Sequence, residues 1–447
     1  MRVLITNNTF DAHAGSELYA RDVALALLRR GHQPVAYSTH LGAVARELRE
    51  ATVPVIDDLA QLAVAPDIIH AQHHLDAMTA MLRFPQVPAV YFCHGWVPWE
   101  EMPPKFPSLR TYVAVDDLCA ERLHSESGIA PAQIRLIRNF VDLTRVEMRA
   151  DLPARPRRAL VFSNYAREDG YLGIVRKACV LRNIEVEAIG IHSGRVETNP
   201  ASLLHNYDIV FAKARSAIEA MASGAAVIVC DAAGLAGIVT DDNYAAGRAL
   251  NFGVRTLSRA ITVEAILAEL DAYDAAQARR VGLRIRDEAD MERAVDAIVE
   301  TYAQAIAAHR AVPVDAHSQL IAASDYLRGI AAVAKVRHAA LRAREVAAAE
   351  MRHQHLRAEQ AEGREHALSA RLEEMNAARR AESAVGDELQ RENRQLQEQV
   401  VQLEHDIGRA RLAAQAQQTR AEALLASWSW RITAPLRWGA RLFARKN

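Results

Sequence analysis

The stretch Lys213-Ala-Arg-Ser-Ala-Ile-Glu219 sets two cations, a hydroxyl and a carboxylate where a helix should begin. Ser216 can cap that helix, and Ser216-x-x-Glu219 has the spacing of a capping box. Free amides of a first helical turn attract an anion. Lys213 and Arg215 add mobile positive charge at the same point. Together these suit a nucleotide diphosphate, although an ordinary capped helix fits the same spacing. Other residues could serve the same chemistry. The loop Asn7-Asn-Thr-Phe-Asp-Ala-His-Ala-Gly-Ser-Glu17 follows a first apolar run and opens a helix. Gly15 there lets backbone approach a ligand, while Ser16 could contribute or be only an N-cap. His94 ends the run Tyr91-Phe-Cys-His94-Gly-Trp at a predicted strand terminus facing the cleft, where it could be functional or structural. Gly234 lies in the small-residue run Ala232-Ala-Gly234-Leu-Ala-Gly. The histidines of His70-Ala-Gln-His-His74 lack an acidic partner at fixed spacing, so no metal is expected.

These residues need strand ends to hold them. Arg2–Thr6, Pro34–Ser38, Asp67–His70, Ala89–His94 and Thr111–Val115 read as strands, and Ser16–Gly31 reads as a helix. Strands alternating with helices imply βαβ units and a doubly wound parallel sheet, which binds ligands at the carboxyl ends of its strands. A Pro- and Arg-rich linker follows at 151–158. A second set of strands reads as Ala159–Ser163, Glu185–Ile189, Ile209–Phe211, Ala226–Cys230 and Ala249–Phe252, closed by a helical stretch Val263–Ala311. The fold class is therefore α/β, with two Rossmann-like domains over 1–150 and 151–312.

The motifs resemble those of family 4 glycosyltransferases, which have the GT-B fold. In that family the second of two glutamates, eight positions apart, opens a helix followed by Ala-Met-Ala-x-Gly and a hydrophobic strand. Glu219 matches the second glutamate, but Phe211 stands where the first should be. The Gly15 loop resembles the family's Gly-Gly-x-Glu, with Ala14 replacing the first glycine. His94 falls where the family keeps a histidine near the donor sugar. Arg138-Asn-Phe-Val-Asp142 resembles the interdomain Pro-Asn-Gly-Val-Asp, and Gly234 lies in a counterpart of Gly-Gly-Leu-Pro-Glu-Ile-Val. The family's basic pair after the first strand of the second domain is missing, and Arg167 aligns only loosely. The resemblance implies transfer of a sugar from a nucleotide-sugar donor to a glycan or lipid-linked acceptor, with retention of configuration. It implies catalytic roles for His94 and Glu219, and donor contacts from Gly15, Ser16, Lys213, Arg215, Ser216 and Gly234. Neither cofactor nor metal is implied.

The rest of the chain points to assembly. After Pro313 no proline occurs until Pro435, and Ala, Glu, Arg and Gln dominate. Leu389, Leu396, Leu403, Ala410 and Leu424 share one heptad track; Val400, Ile407, Ala414 and Ala421 share the other, with Asn393. This predicts a long helix over 313–426 whose residues 387–425 form a parallel homodimeric coiled coil. A straight helix from Pro313 to Pro435 would span roughly 180 Å at about 1.5 Å per residue. Residues 427–447 hold Trp428, Trp430 and Trp438 among five cations and no acid, a composition suited to an anionic membrane surface. They resemble a Ser-Trp-Arg-x-Thr-x-Pro-Leu-Arg tail on bacterial surface-polysaccharide glycosyltransferases. With net charge −1, nothing global points to nucleic acid. Four scattered cysteines, no signal peptide and no long apolar run fit a cytoplasmic protein, peripheral at the inner face of the bacterial membrane. The competing readings are a non-catalytic sugar-nucleotide-binding scaffold, favoured by Phe211, and another GT-B enzyme such as an epimerase.

Overall fold

The computed structural model describes residues 1–195, 197, 200–381 and 386–426. The first domain is built from β1 (Arg2–Thr6), α1 (Gly15–Arg29), β2 (Gln33–Tyr37), α2 (Ala43–Glu50), β3 (Val55–Ile56), β4 (Ile68–Gln72), α3 (His74–Arg83), β5 (Ala89–Cys93), β6 (Leu109–Ala114), α4 (Asp117–Glu121) and β7 (Ile134–Leu136). The strands are parallel, in the order β3-β2-β1-β4-β5-β6-β7. Strand residues alternate between faces. Val3, Ile5 and Phe92 join the core under α1, while Leu4, Ile69 and Tyr91 join the core under α3. Helices on both faces explain why these strands read as continuous apolar runs.

The second domain comprises β8 (Arg158–Phe162), α5 (Tyr171–Val180), β9 (Glu185–Ile189), α6 (Ala201–Leu204), β10 (Ile209–Ala212), α7 (Ala214–Ala222), β11 (Ala226–Asp231), β12 (Gly234–Ile238), α8 (Asp241–Ala249), α9 (Val263–Asp271), α10 (Ala275–Glu288) and α11 (Met291–Ala311). Its strand order is β12-β11-β10-β8-β9, with only β12 antiparallel. The strand expected at Ala249–Phe252 does not form. Asn251 and Phe252 have φ of 55° and 47°, which extended backbone excludes. The edge strand is β12, a segment that reads as a ligand loop in the sequence.

The helical stretch expected to close the second domain is three helices, and the last returns to the first domain. Met291, Val295, Ile298, Tyr302 and Ala305 recur at steps of four and three along α11, making one apolar stripe. That stripe is buried with Phe92 and Leu27 of the first domain. The two crossing segments meet: the Val141 amide donates to the Ala289 carbonyl at 2.8 Å, and the Met291 amide donates to Val141 at 3.1 Å.

The extension is divided into α12 (Ala316–Ala381) and α13 (Gly386–Ala426). The start of α12 is fixed to the first domain, where Ala323 enters the core and the Tyr326 hydroxyl lies 2.7 Å from His74 Nδ1. Residues from Leu327 form a separate unit. Within it Glu362 pairs with Arg411, Arg371 with Glu392 at 3.7 Å, and Asn376 with Asn393 at 2.6 Å. From the Glu362–Arg411 pair to the Arg371–Glu392 and Asn376–Asn393 pairs the α12 number rises while the α13 number falls by almost 20, so α13 runs back antiparallel along α12. This corrects the expectation of one straight helix. Asn393, Leu396 and Ile407 are buried together with Ala358 and Ala361 as a seam between two helices of one chain. The heptads were legible, and α12 packs against part of them: Leu396 and Ile407 are buried, while Val400, Leu403, Ala410 and Ala414 are half-buried. The tail 427–447, with Trp428, Trp430 and Trp438, lies outside the described residues.

Candidate active site

In the first sheet the strand order reverses at β1 and β4, so a crevice opens at their carboxyl ends. Hydrogen bonds brace its floor. Thr6 Oγ1 donates to the Gln72 carbonyl at 2.9 Å and accepts from the Gln72 amide at 3.0 Å. The buried Glu17 carboxylate gathers the loop, accepting from Thr9 Oγ1 at 2.6 Å and Ser16 Oγ at 2.8 Å. Ser16 is therefore not the cap of α1. That position belongs to Ala14, with no capping side chain. Gly15 opens α1, exposed, and a Cβ added there would meet nothing within 4 Å.

His94 follows β5, and its backbone amide donates to Glu101 Oε2 at 3.0 Å. The other Glu101 oxygen faces His73 Nε2 at 3.4 Å, while His73 Nδ1 accepts from the Asn8 amide at 2.9 Å. His73 holds this position with a left-handed φ of 55°, uncommon outside glycine. Burial pushes the Glu101 carboxyl up, but the His73 hydrogen bond and nearby His94 more than offset this and hold it low. Burial pushes His94 down to about 4, with Glu101 opposing only in part, so its imidazole is neutral at pH 7. Its Nε2 is buried without a hydrogen-bond partner among the described residues. His70 is structural: it stacks on Phe92 at 3.7 Å and bonds Tyr302 and Gln72. No cluster of potential metal ligands occurs among the described residues.

The α1 face towards the second domain carries Tyr19 and Asp22, one helical turn apart. Tyr19 packs on His94 with ring centroids 4.4 Å apart and on Phe140 at 4.9 Å. Asp22 is buried and accepts from Arg21 Nε at 3.0 Å and from Arg215 of the second domain. Burial would raise its carboxyl, but the Arg215 and Arg21 charges hold it below its ordinary value.

The second domain brings α7 to this point. Its N-cap is Lys213, and Ala214 begins the helix with φ of 50°, its amide donating to the Phe252 carbonyl at 2.9 Å. Ser216 is therefore inside the helix and does not cap it, and the Ser216–Glu219 capping box does not form. The left-handed Ala214 shifts the start three residues earlier than the spacing suggests, from a cap at Ser216 to one at Lys213. Glu219 accepts from Arg215 Nε at 2.8 Å, the i,i+4 geometry of one helix face. Arg215 thus links Glu219 on its own helix to Asp22 across the cleft. Lys213 pairs with the buried Asp231, which also accepts from Ser163 Oγ at 2.9 Å, and its Nζ lies 5.1 Å from the Tyr165 ring. The two cations expected to be mobile are both engaged by acids. Arg167 is likewise bound, to Asp169 at 3.0 Å.

Two further positions are closely packed. Gly234 opens β12 with φ of 149°, and a Cβ there would come within 2.9 Å of the Leu257 and Arg259 carbonyls. It serves close strand packing, and it borders a groove of about 1130 Å³ along α5 that the other site residues do not line. Phe211 lies inside β10, fully buried in the core of the second domain. Position 211 therefore faces packing rather than the cleft.

The structure thus joins His94 to Arg215 and Glu219 through Tyr19 and Asp22, and places Lys213 at the strand ends of the second sheet. The sequence reading missed Tyr19, Asp22, His73 and Glu101. A signal existed for Asp22, a carboxylate within the otherwise apolar stripe Tyr19, Val23, Ala26 and Leu27.

Residues 13–145 match the sequence profile described as Glycosyltransferase Family 4. No curated protein matches the chain. Among solved structures, the chain is similar to a glycosyltransferase from Rickettsia africae ESF-5, at 14% identity and TM-score 0.50, over 68% of this chain and 98% of that one. It is also similar to Anabaena Alr3699/HepE in complex with UDP, at 14% identity and TM-score 0.51, over 68% of this chain and 100% of that one. What is shared is the fold, two doubly wound α/β domains in the GT-B arrangement.

Proposed function

We propose that the protein transfers a sugar from a nucleotide-sugar donor to a glycan or lipid-linked acceptor, with retention of configuration. One observation carries this reading: Asp22 of α1, on the face where Tyr19 packs against His94, meets Arg215 of α7, which also holds Glu219, in a chain whose residues 13–145 match a glycosyltransferase profile. The Anabaena protein is in complex with UDP, so a uridine diphosphate sugar is the first donor to test. In the proposed reaction the leaving diphosphate gathers charge beside α7. Its first-turn amides, Lys213 and Arg215 would stabilise that charge in place of a metal. Arg215 would exchange Asp22 or Glu219 for phosphate oxygens as the donor enters. Glu219 would then be free to hydrogen-bond the donor, and neutral His94 would contact the transferred sugar. With Phe211 in the core, contacts credited to the family's first glutamate must come from other residues.

The acceptor is proposed to be a growing bacterial surface glycan, reached from the inner face of the cytoplasmic membrane through residues 427–447. No helix among the described residues is long and apolar enough to cross a membrane. Pairing of two chains is proposed through the helical hairpin, where Val401 and Leu412, eleven residues apart and so on one face of α13, are exposed. The test is a panel of UDP-, GDP-, ADP- and dTDP-sugars, scored by nucleoside diphosphate release and by the anomeric configuration of the product. Inversion would remove the retaining mechanism. Binding without turnover across the panel would favour the non-catalytic scaffold.

A further inference from the structure

We propose that Tyr19 contacts substrate: its hydroxyl, with His94 Nε2, binds a carbohydrate hydroxyl at the carboxyl ends of β1, β4 and β5. The inference rests on the glycosyltransferase reading and assigns a further residue to it.

Position is the first argument. Tyr19 lies one turn before Asp22 on α1, so both side chains share the face that Arg215 reaches from the second domain. The ring is 3% exposed and held between His94 and Phe140. A phenylalanine would fill the same space, so packing does not require the hydroxyl.

Hydrogen bonding is the second argument. A buried tyrosine hydroxyl normally finds a partner. The Tyr19 hydroxyl has none among the described residues, and neither do His94 Nε2, Asn7 Oδ1 and Gln72 Oε1. These atoms come from α1, the residue after β5, the residue after β1 and the last residue of β4. The strands are neighbours in the order β1-β4-β5, and the Tyr19 ring lies 4.4 Å from that of His94 and 6.3 Å from that of His70, which Gln72 also contacts. The amide orientations are fixed: Asn7 Nδ2 donates to the Thr9 carbonyl at 2.6 Å, and Gln72 Nε2 lies 2.9 Å from His70 Nε2.

Chemistry selects the ligand. The two amide oxygens only accept, which disfavours phosphate or carboxylate. A tyrosine hydroxyl both donates and accepts, and a neutral imidazole nitrogen does one or the other. Adjacent sugar hydroxyls satisfy that set. They could belong to the transferred sugar or to the acceptor glycan.

The experiment uses the full chain and Tyr19→Phe. Without nucleotide, Tyr19→Phe should melt at or above the wild-type temperature, because the lost hydroxyl has no partner. A drop of several degrees would make the hydroxyl structural and overturn the proposal. With a donor that wild type turns over, Tyr19→Phe should bind the free nucleoside diphosphate within twofold of wild type while kcat/KM falls at least tenfold. A fall in acceptor-free donor hydrolysis identifies the transferred sugar as the ligand. A fall in transfer alone identifies the acceptor. Unchanged kcat/KM in both reactions overturns this proposal and leaves the glycosyltransferase reading standing. Failure of wild type to turn over any donor removes both.

Discussion

Lowering the pH should expose the buried neutral histidines as a stability defect, and His94 allows the size to be worked out. Its native pKa is about 4, against an ordinary value of 6.5. The folded state binds a proton less readily than the unfolded state, so its contribution to stability is complete above 6.5 and lost as pH falls towards 4. The limiting slope is about 1.4 kcal/mol per pH unit, so His94 alone should remove about 2 kcal/mol between pH 7 and pH 5. His74, pushed to about 4 chiefly by burial, should remove a similar amount, and His70 is shifted in the same direction. His73 acts oppositely. Burial lowers it, but the Glu101 hydrogen bond and charge outweigh that, so its stabilisation is present below 6.5 and lost as pH rises. Urea unfolding of wild type and His94→Asn at pH 7, 6 and 5 isolates the His94 share. The variant should lose about 2 kcal/mol less than wild type over that range. Equal losses, or a His94 ring titrating near 6.5 by NMR, would refute the assignment of a buried, neutral imidazole.

Other substitutions probe the remaining elements. Asp22→Asn removes a partner of Arg215 while leaving Glu219, so urea unfolding should register a loss of about 2–3 kcal/mol, below the full cost of orphaning a buried charge; an unchanged midpoint would mean that the cross-domain pair contributes nothing. Phe211→Glu does not restore a family contact but buries a carboxylate in a core, and should cost at least about 4 kcal/mol. A soluble Phe211→Glu variant with a wild-type melting curve would contradict the placement of position 211. For the hairpin, Asn376→Cys with Asn393→Cys should cross-link within one chain on oxidation, whereas Asn393→Cys alone should not. A covalent dimer from Asn393→Cys alone on a non-reducing gel would restore the parallel coil.

The two doubly wound sheets were legible because continuous apolar runs alternate with glycine-stopped helices, a pattern written locally. The destination of α11 was not: its stripe is readable, but the surface that receives it lies some 200–290 residues earlier in the chain. The heptads of α13 announced a seam without saying that α12 would fill it. At the site, Glu219, His94 and Arg215 were found by type and motif. Their pairings were not, since Asp22 and Arg215 meet only when the domains meet. Ser216 was misread because a left-handed alanine at 214 carries no signature in residue type. Gly234 is ambiguous for a similar reason, because a glycine needed for close packing looks the same in sequence as one needed for ligand approach.

The most direct test of nucleotide-sugar turnover at this cleft is nucleoside diphosphate release by the full chain and by Glu219→Gln, over UDP-, GDP-, ADP- and dTDP-sugars at saturating concentration. At least one donor should be turned over by wild type, and Glu219→Gln should lose about 10²-fold or more in kcat, the size of effect seen when one preorganised polar contact is removed, while its melting temperature falls no further than that of Asp22→Asn, which loses the other partner of Arg215. Release at equal rates by both proteins, or no release from any donor, would contradict the account.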